Sequence, residues 1–196
     1  MNVVELRRYT VFPEHRDTLV ELFDSEFVES QEELGIAIVG QFRDLERPDR
    51  YVWVRAFPSM EVRGEALPAF YGGPVWKRHS AAANATMVDV DDVLLLRPVR
   101  PFPALGPRPP VGAAAPTSVV VASVYHGGRP TPVPAAVASF ETLHAANNFP
   151  ALPVRTDLDA FVTFQRYASL AQARADARPG AAERLLLAPT GRSRLR

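Results

Sequence analysis

A ten-residue phrase occurs twice in this chain. Tyr51-Val-Trp-Val-Arg-Ala-Phe-Pro-Ser-Met60 returns as Phe161-Val-Thr-Phe-Gln-Arg-Tyr-Ala-Ser-Leu170. Aromatic stands against aromatic, Val against Val, and Ser59 against Ser169 as a helix start. A Leu-Leu-Leu-x-Pro echo follows each copy, within Val93–Val99 and within Glu183–Thr190. Two weakly similar halves restrict the chain to folds made from two copies of one unit.

The order of elements says which unit. Residues 3–12 read as a strand, and Asp17 to Leu34 as a helix with Leu19, Leu22, Phe23, Phe27 and Leu34 at helical spacing, stopped by Gly35. Residues 36–44 and 51–57 read as strands, Ser59 opens a helix to about Phe70, Pro74 opens another through Ala85, and Val93 to Arg97 is a fourth strand. This βαββαβ order is ferredoxin-like. Seven prolines between 98 and 116 then mark a semi-rigid linker. The pattern restarts with a strand over 117–125, a helix over Pro134–Ala146 and a proline-interrupted edge strand over Phe149–Arg155. A strand over 160–167, a helix from Ser169 to Ala177 and a strand over 184–188 complete it. The predicted class is α+β, with ferredoxin-like units at 1–99 and 117–196 joined by a linker at 100–116. Two such sheets can pack face to face and leave a cavity between them.

Composition narrows the chemistry. The 196 residues include no cysteine, which excludes disulfides, thiolate catalysis and Cys-zinc sites. The formal net charge is zero and Lys77 is the single lysine, so no field steers the chain to nucleic acid or to an anionic membrane. No apolar stretch is long enough for a membrane span. Met1 runs almost directly into the first strand, and a cytoplasmic location is expected.

Strand alternation puts Glu5, Arg7 and Tyr9 on one side of the first strand, Gln41 and Arg43 on one side of the second, and Trp53 and Arg55 on one side of the third. The apolar sides are expected under the helices and this polar-aromatic set toward the cavity. Buried charges must be paired or bound, so the set is either a salt-bridged network or an anion-binding pocket. Trp76 and His79 share a helix face nearby, and His126 ends a strand before Gly127-Gly128. Either histidine is a candidate acid/base, with Arg7 and Arg55 stabilising an enolate or carboxylate. His15 reads as surface. Glu141-x-x-His144 supplies two metal ligands and nothing supplies a third, so no metal is expected. No dinucleotide fingerprint, phosphate loop or nucleophile elbow occurs, and no cofactor is expected. Asn147-Asn-Phe-Pro-Ala-Leu-Pro-Val-Arg155 reads as a rigid rim over the cavity or as a plain helix-to-strand connection.

Several of these segments resemble the NIPSNAP family: Glu5-Leu-Arg-Arg-Tyr-Thr-Val11, the second strand ending in Gln41-Phe-Arg43, Trp53-Val-Arg55-Ala-Phe before Ser59, Asn147 to Arg155, and Phe164-Gln-Arg166. The resemblance covers nearly the whole chain and implies the dimeric α+β barrel superfamily. Its related barrels include cofactor-free monooxygenases, polyketide cyclases, lactone isomerases and haem proteins. From the resemblance together with the shared polar-aromatic face, the expected function is binding of a small aromatic or polyketide-like molecule between the sheets, through Glu5, Arg7, Tyr9, Arg43, Trp53, Arg55 and Trp76, with cofactor-independent oxygenation, cyclisation or isomerisation. The rivals are a non-catalytic interaction protein and a haem barrel with His144 or His79 as axial ligand. There is room for a homodimer.

Overall fold

The computed structural model describes residues 1–196. The first half contributes strands β1 (Val3–Val11), β2 (Ala37–Asp44), β3 (Arg50–Phe57), the short β4 (Met87–Asp89) and β5 (Val93–Arg100). The second half contributes β6 (Val119–His126), β7 (Ala138–Thr142), β8 (Ala160–Tyr167) and β9 (Glu183–Pro189). Spatial order is β2-β3-β1-β5 in the first half and β9-β6-β8-β7 in the second, the same ferredoxin-like order twice. The edge strands then pair across the halves, β5 with β7 and β2 with β9, all antiparallel. Eight strands therefore close into a barrel, and β4 extends the sheet only beside the end of β1.

The repeated phrase holds equivalent places. β3 and β8 are both inner strands, and Ser59 and Ser169 both cap the following helix by accepting an N–H, from Val62 at 3.4 Å and from Gln172 at 3.3 Å. The helices are α1 (Arg16–Leu22), α2 (Val28–Glu32), α3 (Met60–Tyr71), α4 (Pro74–Asn84) and α5 (Leu170–Ala175). A π-helical turn, Phe23–Phe27, joins α1 to α2.

The barrel interior is apolar. All eight strands send side chains into one buried cluster, including Leu6, Phe42, Val54, Leu96, Val124, Phe140, Phe164 and Leu187. One mouth is plugged by the proline-rich segment, whose Phe102 ring lies 4.8 Å from that of Phe140 and 5.2 Å from that of Phe164. Ion pairs close the other mouth: Arg50 reaches Glu183 at 2.6 Å, and Arg8 reaches both Glu183 and Asp92. The sheet faces are thus opposite to the expected ones. Val52, Val54 and Ala56 point into the barrel, while Glu5, Arg7, Tyr9, Trp53 and Arg55 lie on its outer surface beneath α1–α4. The physical reason is closure. An eight-stranded barrel is just wide enough for side chains to fill it, and away from its mouths those side chains are apolar and offer a guanidinium no acceptor.

The second half departs from the predicted element order. Pro134–Ala146 is not a helix; its centre is β7, where Ala138 and Phe140 face the interior and the strand bridges β5 and β8. Closing the barrel needs that strand, and tertiary pairing overrides the local helical preference. Phe149–Arg155 is not an edge strand either. Residues 143–159 form a strap that leaves β7, crosses to the first half and returns to β8. It is anchored on β5 by Leu143 N–H to Leu95 O (2.9 Å) and Arg155 N–H to Val93 O (2.8 Å).

Phe164→Ala tests the shared core. It removes a fully buried ring packed on Phe102 and Phe140, and an expected loss of about 3–5 kcal/mol is measured by guanidinium unfolding.

Candidate functional site

A cavity of about 260 Å³ lies between the outer face of the first sheet and its helices. Its lining is mostly aromatic: Tyr9, Tyr51 and Trp53 rise from the sheet, Phe23 and Phe27 from the α1–α2 segment, Phe70, Tyr71 and Trp76 from α3 and α4, and Phe149 from the strap. The rings meet mainly edge to face, as in Phe23–Trp53 at 4.8 Å and Tyr71–Trp76 at 4.8 Å, whereas Phe149 stacks on Tyr71 at 5.7 Å and 19°.

The π-helical turn explains one wall. Leu19, Phe23, Phe27 and Gln31, each four residues apart, all line the cavity. In a regular α-helix, steps of four drift by about 40° each, so the last would rotate off the face. The wider turn at Phe23–Phe27 absorbs that drift. The spacing of four was legible in the sequence, and its significance was missed.

Beneath this wall lies a buried ionic knot. Glu5, Arg7, Arg55 and Arg63 all have fully buried side chains. Glu5 Oε2 accepts from Arg7 Nη1 at 2.6 Å and from Arg55 Nε at 2.7 Å, and Oε1 accepts from Arg63 Nε at 2.6 Å. Burial alone would raise the pKa of Glu5. Attraction to Arg55, Arg7 and Arg63 outweighs burial and holds it well below the usual carboxylate range. Arg7 Nε also donates to the Tyr9 hydroxyl at 2.8 Å, and Arg55 Nη1 to Gln31 Oε1 at 3.4 Å. Both partners line the cavity. Arg7 and Arg55 further lie over the Trp53 ring, at 5.5 and 5.0 Å.

Arg63, which sequence reasoning did not select, ties the knot to the strap by donating to Asn147 Oδ1 at 3.1 Å and Asn148 Oδ1 at 2.6 Å. Gly64 beside it makes this approach feasible, since a Cβ there would sit 2.6 Å from Asn148 Nδ2. A glycine inside a helix next to an arginine was the available signal.

Burial pushes the Tyr9 and Tyr51 hydroxyls above their ordinary pKa. The Tyr51 hydroxyl and the Trp53 indole N–H are buried without a hydrogen-bond partner. The cavity wall therefore offers donors and no base.

Of the residues selected from sequence, Tyr9, Trp53 and Trp76 line the cavity, and Glu5, Arg7 and Arg55 form the knot below it. Arg43 lies elsewhere, paired with Asp17 at 2.6 Å on the surface. His79 is outside the lining, 3.4 Å from Glu26. His126 is exposed at the end of β6, in the other half. His144 is exposed beside Asp159 at 3.2 Å, and Glu141, now on a strand, pairs with Arg97 and Arg129. No three His, Asp or Glu side chains converge as metal ligands.

No protein-family model matches the sequence, and no curated protein matches it. Solved structures do resemble it. A candidate monooxygenase from Fusobacterium nucleatum is 8% identical with a TM-score of 0.59, over 95% of this chain and 91% of its own. A candidate monooxygenase from Lactobacillus acidophilus is 10% identical with a TM-score of 0.54, over 96% of this chain and 94% of its own. This chain has their α+β barrel fold. A NIPSNAP domain protein from Burkholderia xenovorans is also similar, at 14% identity and a TM-score of 0.47, over 52% of this chain and 99% of its own.

The knot makes two linked predictions. Glu5→Gln leaves three guanidiniums without a counter-charge and should cost about 3–5 kcal/mol in urea unfolding. Because the folded carboxyl is held below its unfolded value of about 4.3, its contribution is complete above that pH and is lost as acid carries pH down toward the folded pKa. The stability gap between the parent and Glu5→Gln should therefore stay constant from pH 7 to about 5.5 and shrink below about 4.3.

Proposed function

We propose that this chain binds a small, flat aromatic or polyketide-like molecule in the cavity between its first sheet and the helices α1–α4. The aromatic lining carries this reading. Nine of the seventeen lining residues are aromatic, and two of them hold buried donors with no partner inside the protein. Buried polar groups normally find hydrogen bonds, and a ligand oxygen would supply them. Pockets for drug-sized ligands run to about 300–1,000 Å³, so 260 Å³ suits a molecule of one or two rings. The ligand lies outside the barrel: all eight strands pack apolar side chains into its interior, and the hollow of about 310 Å³ at its plugged mouth has only two aromatic residues, Phe102 and Phe140.

The wall favours one kind of chemistry over others. Its titratable groups are Tyr9, Tyr51 and Tyr71, and the two whose pKa values are raised are donors at neutral pH. Donors of that kind stabilise an oxygen anion as it develops. They suit oxygenation, cyclisation or isomerisation of a substrate acidic enough to ionise without a strong base. The similar fold of candidate monooxygenases is compatible with this class. The lack of a carboxylate or histidine on the wall favours a second reading, binding without turnover.

Titration of the chain with a panel of one- and two-ring aromatics tests the proposal. Tryptophan fluorescence should be quenched and the melting temperature raised by at least one member, and Trp53→Ala should abolish both effects. Silence across the panel in both signals would overturn the reading.

A further inference from the structure

The charge count of the buried knot does not close. Arg7, Arg55 and Arg63 bring three positive charges, Glu5 returns one, and all four side chains are fully buried. The remaining acceptors are neutral: the Tyr9 hydroxyl, Gln31 Oε1, Asn147 Oδ1 and Asn148 Oδ1. One Nη2 of each guanidinium still has no acceptor. Other nearby acids are engaged elsewhere. Asp24 accepts from Gln41 and Thr190, and its carbonyl accepts from Arg192. Glu26 faces His79. Two unbalanced positive charges therefore stand in a buried site, where an ion is costly unless it is paired.

The cavity borders this excess. Arginine has no acceptor, so in the bond from Arg7 Nε the Tyr9 oxygen must accept. The Tyr9 hydrogen is thereby left to be donated to something else. Trp53, whose ring lies beneath two of the guanidiniums, has its N–H unpartnered. Tyr9, Trp53 and Gln31 all lie on the cavity wall. The positive charge is one side chain behind a set of donors.

Resting on the aromatic-ligand reading, we infer that the ligand is an aromatic carboxylate, with its charged oxygens at the Tyr9–Trp53 end of the cavity. Tyr9 O–H and Trp53 N–H make the direct hydrogen bonds. Arg7 and Arg55, in contact with those two rings, supply the counter-charge behind them, undiluted by solvent. The rings of the ligand fill the space toward Phe27, Tyr71 and Phe149.

Calorimetric titration of the full chain with 2-naphthoate and with its neutral isostere 2-naphthamide separates charge from shape. Naphthoate should bind at least tenfold more tightly at pH 7. Arg55→Met removes one surplus charge while leaving Glu5 with two partners, so the variant should fold, and its preference for naphthoate should fall severalfold. Equal affinity for both compounds in the parent chain overturns the carboxylate inference and leaves the aromatic-ligand reading standing. An undiminished preference in folded Arg55→Met overturns the role given to the knot. Binding of neither compound, in a chain whose fluorescence also ignores the wider panel, overturns inference and reading together.

Discussion

One carboxylate holds together the part of this protein that differs from a plain barrel. The two oxygens of Glu5 gather guanidiniums from β1, β3 and α3, and Arg63 carries the connection on to the strap from the second half. Sheet, helix and strap thus meet at a single buried anion. Such an arrangement is costly to desolvate and fragile to the loss of its one acid. Its geometric return is that Tyr9 and Trp53 are fixed from below, and Gln31 ties α2 down over them.

The two halves share a scaffold and differ in what is mounted on it. Across β1 and β3, Glu5 sits opposite Arg55, Arg7 opposite Trp53 and Tyr9 opposite Tyr51. Across β6 and β8, the corresponding pairs are Val121 with Gln165, Ser123 with Thr163 and Tyr125 with Phe161. Deep in the barrel the inward residues stay apolar in both, with Arg8, Arg50 and Glu183 confined to one mouth. The outward ones are ionic and aromatic in the first half and neutral in the second. The second half also has no helix between β6 and β7, and its connection between β7 and β8 is the strap, which covers the cavity of its neighbour. One half holds the site and the other closes it.

Much of the scaffold was readable from the chain. The repeated decapeptide marks β3 and β8, the serine caps start where the pattern places them, and the polar-aromatic residues of β1 and β3 do share a face. Alternation cannot say which face points inward, however, because both faces of these strands are buried. Charges looked like pocket lining between sheets, yet only the helix side supplies Gln31, Asn147 and Asn148 to satisfy them. β7 was hidden for a different reason. Ala138-Ser-Phe-Glu-Thr142 is short and sits within the alanine-rich stretch from Ala135 to Ala146, and its conformation is set by the two neighbours it bridges. The π-helical turn likewise follows from which residues must face Trp53 and Trp76, a tertiary demand that no local propensity encodes.

The pairings of β5 with β7 and of β2 with β9 use up every long strand edge. What remains open is the outer side of β4, three residues long. A second polypeptide, whether another copy or a different chain, has almost no backbone ladder to join. Association would have to be written in side chains, on helix and loop surfaces that can change without disturbing the barrel. Any partner met in that way would leave the strand pairing that upholds the fold untouched.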